Sequence, residues 1–165
     1  MTDSQIDTIA RIAEKISAEN NRRIRQTETI GNLLVERQEV LVSMCALAEM
    51  ESAEISFEAV IKGLKSFNQA LIDYTALGHF EIYERIVDGK ERRGNIRRVA
   101  DRVYPSISET TQVFVEFNDK YDGADASDSV DNLYTDLSSI GEAMADRIES
   151  EDLLLREISD QLESA

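Results

Sequence analysis

The sequence predicts an all-α protein, an up-and-down helical bundle with a four-helix core and additional short helices. Three observations predict it. Proline occurs once and glycine seven times in 165 residues, so helix breakers are scarce. Apolar residues recur at steps of three and four along most of the chain, which is the helical period. No segment of useful length alternates as a strand does. With 42% hydrophobic and 31% charged residues the composition is globular rather than disordered.

Each element follows from that period. Ile6, Ile9, Ala13 and Ile16 mark an amphipathic first helix, which the polar run N-N-R-R at residues 20–23 weakens into a joint. A second helix carries Ile30, Leu34, Arg37, Leu41, Met44, Cys45 and Ala48 along one face. Residues 50–56 are polar enough for a turn, and Ser52 or Ser56 can cap the next helix. The third stretch runs from Phe57 to Ile86 and stops at Asp88-Gly89. Pro105 breaks or starts a helix whose stripe is Ile107, Thr111, Phe114, Phe117 and Tyr121. Residues 122–131 form a loop rich in Asp, Ser, Gly and Ala. Val130, Leu133, Leu137, Ile140, Gly141, Met144, Ile148, Leu155, Ile158 and Leu162 then define a long last helix.

The third stretch is the most informative. Projected at about 100° per residue, Phe57, Val60, Leu64, Phe67, Leu71, Tyr74, Gly78, Ile82 and Ile86 share one face, the expected core. The phase survives Gly78, so one continuous helix is expected despite a glycine cost of ~1 kcal/mol. The opposite face is polar at Lys62, Ser66 and Gln69, then changes to Asp73, Leu77, Phe80, Glu84 and Val87. His79 and Tyr83 lie on the flank. A helix apolar on two sides has either a second internal packing surface or a docking surface.

A formal net charge of −15 disfavours direct binding to nucleic acid or to anionic membranes, and suits a basic partner. The basic cluster Lys90, Arg92, Arg93, Arg97, Arg98 and Arg102 lacks interleaved aromatics and reads as a solvated face or a partner for the carboxylates. Cys45 is the only cysteine, so neither an intramolecular disulfide nor a cysteine zinc cluster can form. Its place on the stripe reads as a buried, inert thiol. No apolar run is long enough to span a membrane and the first residues are unlike a secretory signal, so a cytoplasmic protein is expected.

Chemistry has little to stand on. A di-iron carboxylate bundle needs two Glu-x-x-His motifs, and His79 is the only histidine, with Ala76 where its Glu would be. Gly89 and Gly94 bracket K-E-R-R without P-loop spacing. No cofactor and no metal is expected.

The stretch L-I-D-Y-T-A-L-G-H-F-E-I-Y-E-R-I, residues 71–86, resembles the signature of the regulator of sigma D family, Rsd and AlgQ, bacterial anti-sigma factors. E-R-Q-E-V-L-V-S-M-C-A-L-A is similar to the family's early helix. V-Y-P-S-I-S-E-T-T-Q with F-N-D-K-Y-D resembles its middle segment, and L-S-S-I-G-E-A-M-A-D-R-I-E-S-E-D its last helix. The order and approximate spacing hold over most of the chain.

The resemblance implies one helical domain over residues 1–165, with residues 1–25 an N-terminal extension or a rebuilt first helix. It implies binding to region 4 of the primary sigma factor, steric blocking of its −35 and core-polymerase contacts, and no enzymatic step. The matching positions are Arg37, Asp73, Tyr74, Gly78, His79, Phe80, Tyr83, Glu84, Arg85, Gly141 and Glu142. From these and the projection, the expected protein-binding residues are Arg37, Asp73, Tyr74, Leu77, His79, Phe80, Tyr83 and Glu84, with Asp73, Leu77, Phe80 and Glu84 in direct contact. The competing expectations are a helical adaptor of the same fold for another regulatory protein, and a small enzyme using His79.

Overall fold

The computed structural model describes residues 3–89, 93–123 and 130–163. Among them there is no strand. Four long helices, α1 (Asp3–Glu49), α2 (Phe57–Gly78), α4 (Gly94–Tyr121) and α5 (Leu133–Glu163), account for most of the chain. A π-turn (His79–Tyr83) and the short α3 (Glu84–Val87) extend α2. Helix α1 packs on α2, α2 on α4, α4 on α5, and α5 back on α1, which closes a four-helix core. None of the described helices is long and apolar enough to cross a membrane.

The joint expected at residues 20–23 is absent, because α1 is one helix of 47 residues. Nothing in N-N-R-R breaks a helix, and Arg22 and Arg23 reach back to Glu19 at the helical spacings of three and four. The core face of α1 is also not the expected one. Leu33, Val40 and Leu47 are buried, whereas Leu34 and Cys45 are exposed, so the helix is rotated by about one residue from the expectation. Ile30, Leu41 and Met44 of the expected stripe are half-buried and pack against the core beside that buried line. From residue 3 to residue 22 every side chain is exposed, so this end of α1 overhangs the bundle by about 30 Å.

Ser56 caps α2, its hydroxyl accepting from the Ala59 amide at 3.2 Å. Phe57, expected in the core, begins α2 and remains 39% exposed. Gly89 ends α3 with φ +74°, the left-handed conformation that favours glycine at a helix C-terminus. Pro105 neither breaks nor starts a helix but lies inside α4 on its exposed face. The amide that proline lacks is therefore missing on the solvent side.

The core is built from the stripes of all four long helices. Phe67 and Phe117 meet edge to face with centroids 5.5 Å apart. The Tyr121 hydroxyl and Lys120 ammonium both donate to Asp136 at 2.6 Å, pinning the end of α4 to the start of α5. Arg97, Arg98 and Arg102 are exposed on α4, as a solvated face requires, whereas Arg93 is half-buried and donates to Gln26 of α1 at 3.5 Å. Lys90, Arg92 and the middle of the expected loop, residues 124–129, lie outside the described residues.

Candidate protein-binding site

The segment with the only histidine is a wide turn rather than a regular helix. The Glu84 amide donates to the His79 carbonyl, five residues back, which defines the π-turn. The geometry has a direct consequence for two tyrosines. Tyr74 and Tyr83 are nine residues apart, so an uninterrupted α-helix would point them in opposite directions. The additional residue in the wide turn brings both inside, where they are 0% and 4% exposed.

They meet on one carboxylate. Glu151 of α5 is completely buried, and it accepts from the Tyr74 hydroxyl at 2.6 Å and from the Tyr83 hydroxyl at 2.5 Å. Arg147, one turn earlier on α5, donates its Nε to the same group at 3.3 Å. The guanidinium also donates to the Ile107 carbonyl and to the hydroxyls of Thr110 and Thr111 on α4. The rings of Tyr74, Tyr83 and Phe114 surround it at 5.1–5.8 Å. Arg37 of α1 donates to Asp152 at 2.7 Å and to Glu151 at 3.4 Å. A buried charge is tolerated only when paired and hydrogen-bonded, and here one pair is satisfied by residues from all four long helices and the π-turn.

The electrostatics follow. Burial, and then the Glu151 charge, push the Tyr74 and Tyr83 hydroxyls well above the usual phenol range. Burial opposes the charge on Arg147, but the tyrosine oxygens and Glu151 outweigh it and raise its pKa. Arg37 behaves alike, with burial offset chiefly by its bond to Asp152. Gly78 is part of the same construction. A Cβ there would stand 3.0 Å from Tyr83 Cε2 and 3.6 Å from an Arg147 nitrogen.

The expected site residues therefore divide by side. Tyr74 and Tyr83 face the interior, so the flank position read for Tyr83 is corrected by the π-turn. Arg37 is half-buried and ties α1 to α5. Asp73, His79 and Phe80 are exposed, while Leu77 and Glu84 are half-buried. Phe80 is 62% exposed, the largest value among the exposed large hydrophobic side chains, and the His79 ring leans edge-on against it at 4.9 Å. Asp73 accepts from Gln69 at 2.8 Å. Of the other matched positions, Arg85 and Glu142 are exposed, and Gly141 is half-buried with open space where a Cβ would be. Cys45, read as buried, is exposed.

Arg147 and Glu151 were not among the expected site residues. Their signal is present in the sequence: they occupy the α5 stripe between Met144 and Leu154-Leu155, where apolar residues are due.

Fold and site together define an all-α bundle with a charged core behind a narrow exposed aromatic and acidic strip. Residues 12–159 match the family described as regulator of RNA polymerase sigma(70) subunit, Rsd/AlgQ. The chain is similar to the regulator of sigma D of Yersinia enterocolitica serotype O:8, 31% identical over 141 residues, 84% of either chain. It is also similar to that of Yersinia pseudotuberculosis serotype O:1b, 30% identical over 84% of this chain and 83% of the relative. For the regulator of sigma D of Shigella dysenteriae serotype 1 the identity is 33% over 72% and 76%. The protein belongs to the Rsd/AlgQ family of sigma-factor regulators.

Proposed function

We propose that this protein is a cytoplasmic anti-sigma factor that binds region 4 of the primary sigma factor. Bound there, it blocks the promoter −35 and core-polymerase contacts of that region by occupying them, without enzymatic chemistry. The observation that carries the reading is Phe80, exposed on the outer side of a segment whose inner side is locked to Glu151.

In this reading Phe80 is the apolar anchor, Leu77 and His79 flank it, and Asp73 and Glu84 supply charge complementary to a basic target. Tyr74, Tyr83 and Arg37 hold that strip from behind. A net charge of −15 steers a basic partner towards it. A calorimetric titration of the full chain with a sigma fragment containing region 4, at low salt, tests the proposal. A one-to-one complex that weakens as salt is added supports it; no heat and no complex at low salt overturns it.

A further inference from the structure

Helix α1 carries a second apolar stripe that the fold leaves uncovered. Ile6, Ile9, Ile16, Ile24, Val35 and Val42 are each 51–61% exposed. With Ala13, Asn20, Thr27, Gly31, Gln38 and Cys45, all exposed, they continue in steps of three and four over about 60 Å of helix. At about 100° per residue this stripe lies on the side opposite Leu33, Val40 and Leu47, which face the bundle. It runs past the bundle onto the overhang without changing face.

We infer that this stripe is the seam of a parallel, in-register homodimer, and that its occupant is the same stripe of a second copy. Steps of three and four are the pattern of two helices wound on each other. The six large side chains supply on the order of 500 Å² of apolar surface per copy. The smaller residues between them bring the strip near the roughly 800 Å² per partner of a stable complex. Asn20, Thr27 and Gln38 are the polar positions of the seam, of the kind that sets register at a cost in stability.

Charge sets the direction. The flank on one side of the seam is net acidic, with Asp7, Glu14, Glu28 and Glu39 against Arg25, and the other carries Arg23, which pairs with Glu19 of its own helix. Antiparallel pairing would place the acidic flank against itself. Parallel pairing places it against the other flank, and Arg23 of each copy then stands at the spacing of five that meets Glu28 of the other. Because the seam faces away from the core, two bundles fit on the outside of the helix pair.

Cys45 makes the register testable. It is the only cysteine, exposed and on the seam, so in a parallel dimer it faces its own copy. Light scattering of the reduced full chain at tens of micromolar is expected to give twice the 18.6 kDa chain mass. Treatment with diamide, which accepts the two hydrogens of the two thiols, is expected to link the copies through one disulfide. Cys45→Ser is expected to abolish the link and keep the non-covalent dimer. The double variant Ile9→Asp/Ile16→Asp, at two side chains more than half exposed, is expected to weaken dimerisation at least 100-fold with unchanged circular dichroism.

A monomeric mass for the unmodified chain, a dimer indifferent to Ile9→Asp/Ile16→Asp, or a monomer whose stripe binds a different protein would overturn the homodimer. A dimer in which Cys45 does not cross-link would overturn its parallel register. Sigma binding is a separate readout, so failure of either proposal leaves the other standing.

Discussion

The hydroxyl of Tyr74 lies 2.6 Å from a carboxylate oxygen of Glu151, across 77 positions of sequence and in a fully buried setting. The contact ties the segment that carries the exposed strip to the last helix of the bundle. Removing either charge of the pair behind it leaves the other buried and under-paired.

Arg147→Met is therefore expected to cost about 3–5 kcal/mol, because Glu151 loses a charged partner in the interior. Arg147→Met/Glu151→Met is expected to cost less than the sum of the single changes, with a coupling of about 1–3 kcal/mol. Urea unfolding of the four proteins in the cycle measures both quantities. Additive losses would show that the pair is not energetically coupled.

The two matched glycines are expected to respond in opposite directions. Gly141→Ala places its methyl in open space within α5 and is expected to stabilise by up to ~1 kcal/mol. Gly78→Ala gains the same helix preference, but its methyl meets Tyr83 Cε2 at 3.0 Å. Tyr83 is held by Glu151 and cannot yield, so a net loss of about 1 kcal/mol is expected. Thermal melts of the two variants decide the signs.

Stability is expected to fall above pH ~10. Tyr74 and Tyr83 have raised pKa values in the folded protein, from burial and then from Glu151. Below the ordinary phenol pKa both states hold their protons and the contribution is complete. Above it the unfolded chain releases protons that the folded chain retains, so unfolding gains as pH rises towards the folded values. Urea midpoints across this range should decline, and Tyr74→Phe/Tyr83→Phe should flatten the decline.

Phe80→Ala is expected to leave the melting temperature nearly unchanged, because the ring is largely in solvent. Under the sigma reading it should weaken the complex by at least ~2 kcal/mol, roughly 30-fold. Calorimetry with the sigma fragment measures the second effect and circular dichroism the first. A variant that unfolds would place Phe80 in the core.

Much of this was legible in the sequence. Scarce breakers and periodicity marked the helical class, residue type marked Ser56 as one of two candidate caps and Gly89 as the stop, and the helical projection placed Phe80 outward. The wide turn was not legible, since its signal is an additional residue within a pattern that still reads as regular. That is why Tyr83 was expected on the flank. The choice between the two stripes of α1 was hidden for a different reason: both are apolar, and which one faces inwards is decided by α2 and α5. The buried charges escaped because Arg147 and Glu151 replace apolar residues singly, and a charge within a stripe usually marks a surface.

The wide turn also sets how this segment can change. It holds one residue more than regular winding requires, so deleting a single residue between His79 and Tyr83 would straighten the helix and leave everything beyond it in phase. Eight residues at about 100° each would set Tyr83 roughly 80° from Tyr74, on the same side, so both hydroxyls would keep Glu151. Regular winding with every residue kept would instead turn Tyr83 away from the interior. The loss of one codon would thus change what this protein shows a partner at the turn, while what it hides stayed as it is.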